Sequence, residues 1–152
     1  MKRRDCLKLS AMSICGVANA MNDETAVHLV EQESAATFET TMNRLVEAIA
    51  EAGMTLFARI DHAAAARSLG LAMPPTVVLL FGNPNGGTPI MLAAPRAALD
   101  LPLRVLLRED SEGRALLSFH PVAPSLREAG VPDAMAMRLE AAQRVVLKAM
   151  RP

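Results

Sequence analysis

The fold is decided by residues 60–110, which include IDHAAAARSLG (60–70), PPTVVLLFGNPNGGTPIM (74–91) and LDLPLRVLLRED (99–110). Residues 76–81 are apolar throughout, as expected of a strand that is central in a sheet or covered on both faces. In residues 103–108, Leu103, Val105 and Leu107 alternate with Arg104, Leu106 and Arg108, which predicts a second strand. Pro74 and Pro75 prevent a helix from continuing into the first strand. The segment therefore predicts two strands separated by turns and short helices.

Three further elements precede this segment. Residues 26–33 alternate imperfectly and predict a first strand. Residues 38–52 have apolar residues at helical spacing, with Thr37 as a candidate N-cap and Gly53 just past the end, so they predict a helix. Residues 54–60 then predict another strand.

Two short helices are predicted inside the segment. Residues 62–69 are rich in alanine and follow Asp61, a residue type that caps helices. Residues 82–87 have the composition of a turn. Thr88 followed by Pro89 then predicts a helix that reaches about residue 99, because proline is well tolerated at the first helical position.

The C-terminal part supplies a strand and a helix. Residues 114–120 predict a partner for the strand at 103–108, and Pro132 opens a final helix with a buried stripe of Met135, Leu139, Ala142, Val146 and Ala149. The whole pattern predicts an α+β fold in β-α-β(4)-α order. Its single sheet is mainly antiparallel or mixed, with two short inserted helices and the long helices packed on one face. Parallel pairing of the strands at 54–60 and 76–81 remains open.

Composition narrows the class of protein. Apolar residues make up 51% of the 152 residues and aromatic residues only 3%, so the core is aliphatic. The formal net charge is zero, and stacking platforms for bases are scarce. These features argue against a nucleic-acid partner.

The first twenty residues resemble an export signal. Lys2, Arg3 and Arg4 precede a mildly apolar stretch at 7–17, and Ala18-Asn19-Ala20 is a small-residue cleavage pattern. The arginine pair is similar to a twin-arginine signal. We therefore expect residues 1–20 to be a cleaved signal and residues 21–152 to form a single globular domain.

Cleavage after Ala20 changes the chemistry of the chain. Both cysteines, Cys6 and Cys15, leave with the signal, as do four basic residues and one acidic residue. The remaining domain has no thiol and a net charge of −3. We expect a periplasmic or secreted protein with no stable membrane anchor after cleavage.

Several motifs in order resemble the domain of unknown function 302 family. They are Thr40–Leu45, Ile60-Asp61-His62, Phe81-Gly82-Asn83-Pro84, Gly87-Thr88 with Met91, and Leu99-Asp100-Leu101-Pro102-Leu103. The resemblance covers roughly residues 30–148. It implies a strand–helix–four-strand–helix sandwich and a homodimer, and it implies no particular reaction.

A candidate site follows if the strands at 54–60 and 76–81 run parallel. Their ends would then share one edge of the sheet, where ligands commonly bind. A helix N-terminus after Gly86-Gly87 would add free N–H groups there. The predicted ligand-binding residues are Asp61, His62, Asn83, Gly86, Gly87, Thr88, Met91 and Asp100. Each also has an ordinary structural interpretation as a cap or turn residue.

Two classes of function remain open. The first is a non-enzymatic binding or accessory protein that holds a small polar or anionic ligand at the edge formed by Asp61, His62 and Asn83. The second is an enzyme with His62 as a general base oriented by Asp61. A metal or haem protein is a further alternative, although no Cys pair or closely spaced His pair supports a metal site. The cofactor is left unknown.

Overall fold

The computed structural model describes residues 29–151, which form a five-stranded sheet in the order β1-β5-β4-β3-β2. Every neighbouring pair of strands is antiparallel. The strands are β1 (Val30–Glu33), β2 (Thr55–Asp61), β3 (Thr76–Gly82), β4 (Leu103–Glu109) and β5 (Ala115–Phe119). The predicted α+β class is therefore confirmed, and its sheet is antiparallel rather than mixed.

A layer of helices packs on one face of this sheet. The α-helices are α1 (Phe38–Glu51), α2 (His62–Ser68), α3 (Pro84–Ala93), α4 (Ala123–Glu128) and α5 (Asp133–Gln143). Two 3-10 segments follow α3 and α5, at Pro95–Leu99 and Arg144–Met150. No helix of the described residues is both long and apolar enough to cross a bilayer.

The core lies between that helical layer and the sheet. Alternate residues of the central strands point into it, because side chains of a strand alternate between its two faces. The strands contribute Val77, Leu79, Phe81, Leu103, Val105, Leu107, Ala115, Leu117 and Phe119, and α1 contributes Phe38, Met42, Leu45 and Ile49. The helix predicted at 38–52 thus ends one residue early, and the Thr37 side chain caps it as expected.

One alternative that the sequence left open is excluded, and two expectations are wrong. The strands at 54–60 and 76–81 are antiparallel rather than parallel, since Thr55 pairs with Gly82 and Asp61 pairs with Val77. The helix predicted from Thr88 begins at Pro84, because Asn83 caps it and Pro84 takes the first helical position. Met135 is 42% exposed rather than part of the buried stripe of α5, and Ala136 is buried instead.

The edge strand β2 contains an irregularity. Its register against β3 shifts between Leu56 and Ala58, so Phe57 is an extra residue without a partner on β3. Such a bulge changes the direction in which nearby side chains point. Phe57 is 51% exposed although it is the largest apolar residue of its strand.

Gln143, at the end of α5, links three segments of the chain. It is 2% exposed. Its Oε1 accepts a hydrogen bond from the N–H of Val122 at 3.0 Å. Its Nε2 donates to the carbonyl oxygens of His120 at 3.1 Å and Arg104 at 3.3 Å. One side chain therefore joins α5 to the start of β4 and to the loop after β5.

The carboxyl groups with shifted pKa values have structural explanations. The Ser118 hydroxyl donates to Glu31 at 2.6 Å and, with Arg108, lowers the pKa of that carboxyl. The backbone N–H and the guanidinium of Arg114 bond to Asp110 and lower its pKa to about 2. Glu31 lies on the first strand and Asp110 in the turn before β5, so both groups stabilise strand pairing.

The predicted export signal, its cleavage point, both cysteines and the first residues of the predicted strand 26–33 lie outside the described residues.

Candidate functional site

The structure separates the predicted site residues into two groups. Because β2 and β3 are antiparallel, Asp61 lies beside the start of β3, whereas Asn83 follows its end. Six residues of extended strand, about 20 Å, separate these two ends of the sheet. The shared edge expected for Asp61, His62 and Asn83 is therefore wrong.

Asp61 acts as the N-cap of α2. Its Oδ1 accepts a hydrogen bond from the N–H of Ala64 at 2.8 Å, while the His62 side chain is exposed. No hydrogen bond joins the side chains of Asp61 and His62 in the described part of the chain. The arrangement required for a general base oriented by Asp61 is thus not present in this geometry.

A cap role for Asp61 has a measurable consequence. We expect Asp61→Ala to lower the free energy of unfolding by about 1 kcal/mol, because an N–H at the start of α2 loses its acceptor. Asp61→Asn, which keeps an acceptor, should retain most of that stability. Urea denaturation of both variants measures the difference. A loss from His62→Ala that exceeds the loss from Asp61→Ala would contradict this assignment.

The second group of predicted residues lines a cavity of about 630 Å³ at the end of β3. The cavity is bounded by the end of α1, the starts of β2 and β4, α3, the second half of α5, and Val145 in the 3-10 segment that follows α5. Its lining comprises Ala52, Met54, Phe57, Gly82, Asn83, Pro84, Gly86, Gly87, Thr88, Met91, Leu101, Pro102, Leu103, Arg138, Leu139, Ala142 and Val145. Most of these residues are apolar. The volume is within the range of roughly 300–1,000 Å³ found for small-molecule sites.

The polar groups at the start of α3 are already used within the fold. Asn83 Oδ1 accepts from the N–H of Asn85 at 2.9 Å, and Asn83 Nδ2 donates to the carbonyl of Gly53 at 3.1 Å. The N–H groups of Gly86 and Gly87 donate to the Asn83 carbonyl. The free helix N-terminus that the sequence predicted for an anion is therefore absent at these residues.

Glycine and the bulged phenylalanine shape the cavity. A Cβ atom added at Gly82 would lie 3.6 Å from the ring of Phe57, so that ring packs directly over the end of β3. A Cβ atom added at Gly87 would lie 3.8 Å from Leu101 and 4.0 Å from Met91, which are ordinary contact distances. Any longer side chain at Gly87 would occupy cavity space.

Sequence reasoning missed the part of the lining that comes from distant segments. Arg138 on α5 is the one charged residue among the lining residues. Leu139 and Ala142 were assigned to the buried stripe of the final helix, and Phe57 to an ordinary strand. The only sequence signal for the part of the lining on α5 is Ala142. Its small side chain leaves room next to Leu139 on the core-facing surface of the helix.

Asp100 lies outside this cavity. It borders a hollow of about 30 Å³ together with Arg104, His120 and Ser125, near Gln143. No cluster of three or more His, Cys, Asp or Glu residues suited to a metal ion occurs within residues 29–151. The predicted site residues that line the main cavity are therefore Asn83, Gly86, Gly87, Thr88 and Met91.

The described residues form a small α+β domain in which a helical layer covers an antiparallel sheet. Residues 30–150 match the family model "Domain of unknown function DUF302". The chain belongs to this family.

A solved structure and two curated proteins resemble the chain. The crystal structure of the uncharacterized conserved protein DUF302 from Bacillus stearothermophilus matches with a TM-score of 0.74, over 83% of this chain and 100% of that one. At 16% identity this likeness shows the fold.

Proteins named fluoride-specific ion channel FluC 1, from Brucella suis biovar 1 (strain 1330) and Brucella abortus biovar 1 (strain 9-941), are each 39% identical over 95 residues. These matches cover 62% of this chain but only 37% and 35% of those proteins.

Proposed function

We propose that this protein is a non-enzymatic binding protein that holds a small, largely apolar molecule in the cavity beside α3. The observation that carries the proposal is a cavity of about 630 Å³ with a predominantly apolar lining. Small-molecule sites share this character, with a few polar groups that orient the ligand. The polar edge of Asp61, His62 and Asn83 is not part of this proposal because those residues lie at opposite ends of the sheet.

The chemistry of the lining favours binding over catalysis. Asn83 uses both polar atoms of its amide in hydrogen bonds within the fold. The remaining polar side chains of the lining are Thr88 and Arg138. A hydroxyl and a guanidinium without a neighbouring base among the lining residues form a poor nucleophile–base pair, because proton abstraction requires a base within hydrogen-bond reach.

A neutral hydrophobic dye such as Nile red tests the proposal. We expect its fluorescence to rise on addition of the purified protein and to saturate at one dye per chain, since the apolar lining excludes water from the bound dye. A second measurement, the thermal midpoint, should increase with dye concentration. Absence of a saturable signal in both measurements would reject the proposal.

We also propose that the protein works in the periplasm or as a secreted protein. Support comes from the basic start, apolar stretch and Ala18-Asn19-Ala20 pattern of the first twenty residues. Fractionation of the native host, followed by mass spectrometry of the purified protein, tests this location. A mature N-terminus at Met21 in the periplasmic fraction is expected, and an intact N-terminus in the cytoplasm would reject it.

The open face of the sheet supports a homodimer. Side chains of β2, β3 and β4 that point away from the helical layer form an apolar strip that remains partly exposed, and Ile60 within it is 43% exposed. We call this set the open strip: Ala58, Ile60, Val78, Leu80 and Leu106. The same face carries acidic Glu33, which is exposed and lies 3.5 Å from Arg114 of its own chain, and basic Arg104, so two copies facing each other across a twofold axis can bring opposite charges together. We propose that a second copy of this chain covers the open strip.

Substitution within the open strip tests the dimer. Leu106→Arg should convert a dimer into a monomer, because the interface would have to bury an unpaired charge. Light scattering coupled to size-exclusion chromatography measures the mass of each variant. Leu92→Arg makes the same change at a 79% exposed position on α3 and should remain a dimer. A monomeric wild-type protein, or a dimer that survives Leu106→Arg, would contradict the proposal.

A second candidate function is an accessory role in ion transport. It is favoured by the 39% identity over 95 residues to proteins named fluoride-specific ion channels. Growth of a deletion strain in increasing fluoride tests this candidate. Reduced fluoride tolerance that is restored by the intact gene supports it, and unchanged tolerance rejects it.

A further inference from the structure

The cavity has one charge in its lining, and that charge has no partner among the residues that the structure describes. Arg138 is exposed, and it makes no hydrogen bond or ion pair with any residue between 29 and 151. No aspartate or glutamate appears among the lining residues. The guanidinium of Arg138 therefore lies beside an apolar cavity, and no acidic group of the described residues neutralises its charge.

Neighbouring arginines differ from Arg138 in this respect. Arg127 pairs with Asp133 at 2.6 Å, and Arg144 pairs with Glu140 at 3.1 Å. Arg144 and its partner lie one turn apart near the end of α5. Other exposed arginines of the described chain, such as Arg67, also lack an acidic partner, but Arg138 is the one that lines the apolar cavity, where it is available to an external anion.

We propose that the ligand is an amphiphile with an apolar body in the cavity and a single carboxylate bound by Arg138. The inference rests on the proposed binding function and specifies its ligand class. A guanidinium can bind a carboxylate through two parallel hydrogen bonds. Because the cavity lining has one cation, a doubly charged phosphate would leave part of its charge uncompensated beside apolar groups, which is unfavourable. A medium-chain fatty acid has the required chemistry.

Decanoate and 1-decanol provide a matched pair of probes, since they share an apolar chain and differ in the charge of the head. With the full chain, we expect decanoate to compete with Nile red with an affinity about tenfold higher than that of decanol. The difference is that expected for a charge-assisted hydrogen bond between the carboxylate and Arg138. Arg138→Met should remove this preference by lowering the affinity for decanoate to that for decanol. Arg138→Lys keeps the positive charge and should restore part of the preference. Added salt should weaken only decanoate binding to the wild type.

Arg67→Met is the matched control, because Arg67 is exposed on α2 at the other end of the sheet and does not line the cavity. It should retain the full preference for decanoate. Equal affinity of the wild type for both probes, or a preference that survives Arg138→Met, would overturn the carboxylate assignment. Nile red binding would still support the proposal that the cavity binds an apolar molecule. Failure of the dye and of both probes to bind would overturn the carboxylate assignment and the proposed binding function together.

Discussion

Gln143→Leu is expected to lower the free energy of unfolding by about 3 kcal/mol. Leucine has a similar volume but cannot satisfy the buried N–H of Val122 or the carbonyls of His120 and Arg104. An unsatisfied buried polar group costs about 1–3 kcal/mol. The N–H of Val122 is the group with the fewest alternative hydrogen-bond partners, because it is a single donor. Urea denaturation followed by far-ultraviolet circular dichroism measures the loss.

Gln32→Leu is the matched control for this experiment. Gln32 is half-buried on the edge strand β1, and its side chain makes no hydrogen bond with another described residue. The same chemical change there should alter stability by no more than about 0.5 kcal/mol. If Gln143→Leu lowered the free energy of unfolding no more than Gln32→Leu does, the three hydrogen bonds of Gln143 would contribute nothing to stability.

Gly87→Leu is expected to abolish binding of Nile red, with an affinity loss of about 100-fold or more, equivalent to about 3 kcal/mol. The new Cβ atom meets Leu101 and Met91 at ordinary contact distances, so the rest of the leucine extends into the cavity. Leucine also favours a helix more than glycine, by under about 1 kcal/mol. The variant should therefore stay folded, which the thermal midpoint of the unliganded protein checks.

Ala93→Leu adds similar bulk at an exposed position on α3 that does not line the cavity. Its dye affinity should equal that of the wild type. Binding by Gly87→Leu at wild-type affinity, in a folded protein, would place the dye somewhere other than the cavity beside α3.

Local patterns of the sequence predicted most of the elements but not the direction of one strand pair. Thr37 and Gly53 bound α1 as expected, and the apolar run at 76–81 is a central strand. The connection at 62–75 is long enough for either a parallel crossover or an antiparallel return. Its residues carry no signal that selects between the two, so the predicted meeting of Asp61 with Asn83 failed.

The site was predictable only in part for a related reason. Asn83 and Pro84 suit a turn as well as the start of a helix, because the same side-chain chemistry serves both. The opposite wall of the cavity comes from α5, more than fifty residues later in the chain. In the sequence, Leu139 and Ala142 have the same pattern as residues that fill a core, and only tertiary packing leaves space beside them.

The bulge at Phe57 has a consequence for how chains meet in a crowded compartment. An outermost strand with free backbone groups invites another polypeptide to extend the sheet. On β2 the unmatched residue interrupts the repeat of backbone donors and acceptors, and the opposite margin, β1, has only four residues. Continuous lateral growth into fibres is thereby discouraged at both margins.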